Sequence, residues 1–207
     1  MKNNLIKLCT LVLLSASVFS CKKDYGPGIG PVEDSKAEFP VTVTNAEFFE
    51  RYPGVTTSVA GGGNITITLS IPDDRGKIKQ INRVATSSTT QALSLTNINA
   101  AINSSTSVFA YNATGTGANR VITPIPGNGS NQITFTTTLA NYLTYRIAAG
   151  ATAGPAGPQA GTPPAGPVTL PVPSTTATPT DIAFYFQIEL EDGMTIIPMP
   201  VRVRVLP

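Results

Sequence analysis

Apolar and polar positions along the chain alternate with a period of two in several stretches, the spacing that puts one face of a β-strand in a core. Asn64–Ile71 places Ile65, Ile67, Leu69 and Ile71 on one face, and Gln132–Leu139 sets Ile133, Phe135 and Thr137 against Thr134, Thr136 and Thr138. Phe39–Thr44 offers Val41 and Val43 against Thr42 and Thr44. The chain closes with Ile182–Leu190, the turn Glu191-Asp192-Gly193, and Met194–Leu206, in which Val201, Val203 and Val205 oppose Arg202 and Arg204. Asp-Gly between two β-rich runs predicts a hairpin. Pro198 and Pro200 suit an edge, a bulge or a change of sheet.

Other stretches are less regular. Pro72–Gly76 reads as a turn that returns the Asn64–Ile71 strand into Lys77–Ala85, whose apolar points Ile78, Ile81 and Val84 are three apart, a spacing equally helical. Ala46–Tyr52 fits a helical turn or an edge strand, and Ala140–Ala148 a short helix or strand. Gln91–Thr96, Ser107–Asn112 and Asn119–Ile125 read as strands and Asn97–Asn103 as one helical turn. Half of the residues in Gly150–Pro173 are Gly or Pro, and the collagen-like triplets at Gly154 and Gly157 break before Gly161, so a long exposed loop is expected. Eight or nine strands with turn signals between them predict an all-β protein, an antiparallel β-sandwich of seven to nine strands over residues 38–207. The two strands after the Gly/Pro segment are too few to stand alone.

The first residues differ in kind. Lys2 and Lys7 flank a basic start, and Leu8–Phe19 is an apolar run too short for the roughly 20 residues that span a bilayer. Val18-Phe19-Ser20-Cys21 resembles the lipobox of bacterial lipoproteins, with an aliphatic residue at Val18 and a small one at Ser20 ahead of the cysteine. The resemblance implies a signal peptide over residues 1–20, cleavage before Cys21, and acylation of that cysteine by two or three chains. Two or more chains make an anchor stable where one is marginal. Residues 21–37 then read as a flexible tether. Cys21-Lys22-Lys23-Asp24 is similar to lipoproteins of Bacteroidota-type bacteria, a resemblance that implies a cell-envelope protein lipid-anchored at the outer membrane, on its periplasmic face or at the cell surface. The final hairpin resembles the last two strands of bacterial immunoglobulin-like and polycystic-kidney-type domains, carried by Tyr185, Asp192, Gly193, Val201, Val203 and Val205, which implies an immunoglobulin-like sandwich.

Composition narrows the chemistry. The chain has 207 residues, no His, no Trp and two Cys. Removing Lys2 and Lys7 from fourteen basic residues leaves twelve, against twelve acidic ones. A near-neutral domain lacks the basic stripe that nucleic acids require. With Cys9 in the leader, the mature chain keeps only Cys21 and can form no internal disulfide. The absence of His removes the usual triads and general bases, and Gly61-Gly62-Gly63 has neither the Lys nor the spacing of a phosphate loop. Asp73/Asp74 and Glu189/Glu191/Asp192 are the carboxylate clusters. Both sit at turns, where acidic residues serve solubility and turn geometry. Glu189, Glu191 and Asp192 are the candidates for a calcium ion, which takes oxygen ligands from loops. Tyr111, Tyr142 and Tyr145 are either core residues or, if exposed together, a sugar-stacking platform.

The expectation is a non-enzymatic envelope lipoprotein with no cofactor, serving binding, adhesion or assembly toward a protein or glycan. The alternative is a carbohydrate-binding accessory of an outer-membrane uptake system. Limited proteolysis of the native protein should cut first within Gly150–Pro173 and near Tyr25–Lys36; resistance at both places would refute the loop and the tether.

Overall fold

The computed structural model describes residues 35–88, 110–114, 121–148 and 180–207, all within one compact unit, Glu33–Pro207. The leader, Cys21 and the Gly150–Pro173 segment lie outside the described residues, as do the expected strand at Gln91–Thr96 and the helical turn at Asn97–Asn103.

Twelve strands and one helix are described. The strands are β1 (Thr42–Val43), β2 (Phe48–Phe49), β3 (Pro53–Ser58), β4 (Asn64–Ser70), β5 (Ile78–Ser88), β6 (Ala113–Thr114), β7 (Val121–Ile122), β8 (Ile125–Pro126), β9 (Gln132–Thr138), β10 (Thr180–Leu190), β11 (Thr195–Ile196) and β12 (Val201–Leu206); the helix α1 is Leu139–Ala148. One sheet runs β1-β4-β9, and the other runs β2-β3-β12-β10-β5-β8 with β11 also on β10. The strands β6 and β7 form a small ribbon of their own.

The two large sheets enclose a single core. Ile65, Ile67, Leu69, Ile133 and Phe135 from one meet Val55, Ile78, Ile81, Val84, Phe184, Phe186 and Val203 from the other, all buried. Phe135 bridges the layers, with its ring 5.4 Å from Phe184 and 5.5 Å from Phe186. The longer strands after β3 are divided between the two sheets, with β4 and β9 in one and β5, β10 and β12 in the other. The chain is thus the expected all-β sandwich. Its sheets are not purely antiparallel, because β12 pairs with β3 in parallel, Val203 opposite Val55.

The apolar spacing of three in β5 has a specific cause. Along β10, Leu190, Ile188 and Phe186 point inward with the ordinary period of two, opposite Ile78, Ile81 and Val84. Each step on β5 carries an extra residue, so the register shifts twice and Lys79 and Asn82 are bulged. A bulge leaves backbone groups without ladder partners. Here Asn112 supplies them: its Oδ1 accepts from the Val84 N–H at 2.8 Å, and its Nδ2 donates to the Asn82 carbonyl at 3.2 Å and the Thr123 carbonyl at 2.7 Å. The turn after β4 is a 3-10 turn, Asp73–Arg75. It carries the chain from one sheet to the other, so β4 and β5 are not the hairpin partners that the turn signal suggested.

The chain crosses between sheets early as well, and two side chains cap strand edges at the crossing. Asn45 mimics a strand residue on β4, its Nδ2 donating to the Thr66 carbonyl and its Oδ1 accepting from the Thr68 N–H, both at 2.8 Å. Two residues on, Glu47 accepts from the Thr56 N–H of β3 at 3.0 Å. At the other end of the chain the expected returning strand is broken into β11 and β12 by Pro198 and Pro200, yet both pieces stay on β10. Ile197 at the break exchanges backbone hydrogen bonds with Lys36, which ties the start of the described chain to this point.

Asn112→Ala should destabilise the protein by about 2 kcal/mol or more, since it orphans the bulge's N–H and C=O groups at about 1–3 kcal/mol each. Denaturant midpoints should place Asn112→Asp, which keeps the acceptor, between the two; a variant equal to wild type would show that the bulge does not need this amide.

Candidate functional site

The predicted carboxylate candidates end up in separate structural roles. Glu189, half-buried on β10, accepts from Lys79 Nζ at 2.6 Å and from Gln80 Nε2 at 3.0 Å. Those two bonds hold its carboxyl below the ordinary range. Asp192 accepts from the Met194 N–H at 2.8 Å within the hairpin turn, where Gly193 takes the left-handed conformation with φ 88°. Glu191 is exposed beside it. Asp73 accepts from Asn131 Nδ2 at 2.7 Å, and Asp74 lies 3.8 Å from Arg75 at the surface. Among the described residues no three of His, Cys, Asp or Glu come together as a metal would require. The triple glycine is a turn, in which the Leu139 N–H donates to the Gly63 carbonyl at 2.8 Å.

The three tyrosines do come together, but inside. The helix α1 starts at Thr138, whose hydroxyl accepts from the Asn141 N–H at 3.1 Å, a typical N-cap bond. Its buried positions, Leu139, Tyr142, Tyr145 and Arg146, follow helical and not strand spacing. Tyr111 stands 5.0 Å from Tyr145 and 5.3 Å from Phe184, and Tyr142 is 6.5 Å from Tyr145. Tyr142 is fully buried and Tyr145 nearly so. The trio is therefore a plug at one end of the core and not an exposed stacking platform.

The plug has a polar side. The Tyr111 hydroxyl shares a 2.6 Å hydrogen bond with Thr137 Oγ1, whereas the buried Tyr142 hydroxyl has no hydrogen-bond partner among the described residues. Burial raises both phenols to about 12, with the Thr137 bond working against burial at Tyr111 and the nearby Arg146 against it at Tyr142. Arg146 is itself fully buried, and burial lowers its pKa.

A charged cluster on the outer face of the larger sheet was missed from the sequence. Arg202 and Arg204 both reach Glu50, at 2.5 and 2.9 Å. They also flank Asp181, at 3.7 and 3.5 Å. The hydrogen bond from Arg204 holds the exposed Glu50 carboxyl low, and the same bond raises Arg204. Phe48 packs on this group: the Arg204 guanidinium carbon sits 4.2 Å from its ring centroid, and a Cβ on Gly54 would fall 2.1 Å from the ring. The alternation of Arg202 and Arg204 was visible in sequence, but Glu50 lies about 150 residues away and its pairing depends on the parallel β3–β12 contact. Two cations here face two anions, so the cluster leaves no uncompensated carboxylate for acid–base work.

No protein-family model, curated protein or solved structure matches the chain. No helix among the described residues is long and apolar enough to cross a membrane.

The two buried phenols set an alkaline limit. Their folded pKa values, raised to about 12, exceed the unfolded value of about 10, so the stability they contribute is complete below pH ~10 and is lost as pH rises through the folded values. Absorbance titration should show two tyrosines ionising late or together with unfolding; six ordinary titrations near 10 would contradict this burial. Tyr111→Phe should cost about 1 kcal/mol through the lost Thr137 bond, while Tyr142→Phe, which removes an unpartnered hydroxyl, should be neutral or stabilising.

Proposed function

We propose that this protein is a non-enzymatic cell-envelope lipoprotein: an immunoglobulin-like binding, adhesion or assembly module held at the outer membrane by acylated Cys21. The observation that carries this reading is the order of signals at the start of the chain. A basic start with Lys2 and Lys7 precedes the apolar Leu8–Phe19, and the aliphatic Val18 and small Ser20 then precede Cys21. Each feature is common alone; together, in this order, they are what an exporting and lipidating machinery requires.

The geometry of the described residues supports the non-enzymatic half. The sequence has no His, and among the candidate carboxylates Glu189 is committed to Lys79 and Gln80, Asp73 to Asn131 and Asp192 to a turn N–H, while Asp74 and Glu191 lie at the surface. Of the tyrosines that would have served a sugar-stacking site, Tyr142 and Tyr145 are buried and Tyr111 is partly buried against the core. That leaves surfaces and edges as the means of interaction. Spacing supports the anchor. The first backbone tie among the described residues is at Lys36. Roughly fifteen residues thus separate Cys21 from it, which limits the reach of the domain to about 50 Å from a lipid at that cysteine.

Replacing Cys21 with Ala should move the protein from the membrane to the soluble fraction and abolish incorporation of labelled fatty acid. Unchanged fractionation with unchanged labelling would overturn the reading.

A further inference from the structure

The sandwich protects its strand edges unevenly. On one sheet β1 is two residues long and follows Pro40, and past it Asn45 caps β4. On the other sheet β2 is equally short, is flanked by Glu47, Glu50 and Arg51, and past it Glu47 caps β3. At the opposite edge β8 contains Pro126. Short strands, charges, prolines and side-chain caps are the usual means of blocking strand addition.

Among the described residues the remaining edge is protected only at its ends. The strand β9 is seven residues long and uncharged, has no proline, and pairs with β4 without a register shift. The hydrogen bonds flanking the pairing fix which way its backbone faces. Asn131 O accepts from the Ile71 N–H, and the Leu139 N–H donates to Gly63 O, so odd-numbered residues turn their backbone groups toward β4. Even-numbered residues turn theirs to the open side. Gln132 is capped there by Ser130 Oγ, at 3.1 Å from its N–H and 3.0 Å from its carbonyl, and Thr138 is the helix N-cap. Thr134 and Thr136 are left, each with an N–H and a C=O that bond to nothing among the described residues, and the Thr138 N–H lies on the same side. In constant-type immunoglobulin sandwiches a fourth strand occupies this position beside the strand equivalent to β9.

We propose that this edge takes β9 of a second copy of the chain, antiparallel, about a two-fold axis at Phe135. In that register Thr134 of one copy stands opposite Thr136 of the other, twice. Both are hydrogen-bonded positions, so the N–H and C=O groups of Thr134 and Thr136 in the two copies are all used by four inter-chain hydrogen bonds. A partner strand of another sequence would have to match this spacing; a second copy matches it by symmetry. Charge permits the contact, because no residue of β9 carries one and like-charge repulsion across the axis is absent. On the outer face the ladder of Thr44, Thr68 and Thr134 would continue into the partner's Thr136 and Thr66, threonine against threonine. A contact of one strand per copy lies at the small end of specific interfaces, which makes the dimer a weak, concentration-dependent one.

Sedimentation equilibrium of the purified full chain should show a monomer–dimer equilibrium. Thr134→Pro removes the two N–H donors at that position in the dimer and spares every bond to β4. It should weaken dimerisation at least about tenfold, leaving the far-UV dichroism of the monomer unchanged. As a readout independent of that variant, Thr134→Cys and Thr136→Cys chains should form a disulfide when mixed and far less when either is alone. Facing hydrogen-bonded positions lie about 5.5 Å apart, while a residue and its own symmetry mate lie beyond disulfide reach. A monomer at every concentration, a dimer indifferent to Thr134→Pro, or equal cross-linking by the single variants would each overturn the proposal. Slow exchange of the Thr134 and Thr136 amides in a monomer would overturn it in favour of another segment of the same chain on that edge.

Discussion

The structure depends on the pairing of β10 with β5. The strand β10 is the spine of the larger sheet, with β5 on one flank and β12 and β11 on the other. Its inner row of Phe184, Phe186, Ile188 and Leu190 is the surface on which the second sheet closes through Phe135. A regular ladder could not put Ile78, Ile81 and Val84 in that core, because a spacing of three sends alternate residues to opposite faces. Two bulges restore the register, one at Lys79 and one at Asn82. Both extra residues are put to use. Lys79 reaches Glu189 on the outer face, and the Asn82 carbonyl receives Asn112. The segment that carries Asn112 also carries Tyr111, so the repair of the bulge and the placing of the aromatic plug are one event.

From that spine the charged cluster follows. The strand β12 lies beside β10, and β3 runs parallel to β12, which brings the chain around Phe48 and Glu50 over the Arg202/Arg204 face. Phe48 can lie flat there only because Gly54 has no Cβ. Exposed ion pairs of this kind contribute little each. Their value here is geometric: two arginines bonded to one carboxylate orient the short β2 against the sheet.

The strands with strict alternation were legible in the sequence, because for β4, β9 and β12 burial on one face is the whole of the physics. The elements that escaped have non-local causes. The strand β3 begins with Pro53-Gly54 and lacks an alternating pattern, so no strand was expected there; it is a strand because β12 offers it a parallel partner some 150 residues later. The spacing in β5 was ambiguous until the β10 register showed the bulges. The turn at Pro72–Gly76 was legible as a turn, yet nothing local distinguishes a hairpin from a crossing between sheets. Composition located the tyrosines and carboxylates but not their exposure, which is a property of the packed molecule. Val18, Ser20 and Cys21 remain a sequence argument throughout, since they lie outside the described residues.

Edge protection ties these threads together. A sandwich made of short strands has several ends at which another chain could add, and here Asn45 and Glu47, two residues apart on one crossing segment, close two of them. Among the described residues the smaller sheet consists of β1, β4 and β9. Its edge at β1 is closed in this way, while at β9 the backbone groups of Thr134 and Thr136 stay open among the described residues. An open edge on a soluble domain is a hazard, because any extended chain can bind it. It becomes useful when the site is small, uncharged and self-matching, since a contact of four hydrogen bonds is too weak to trap strangers and selective enough to favour its own copy at high local concentration.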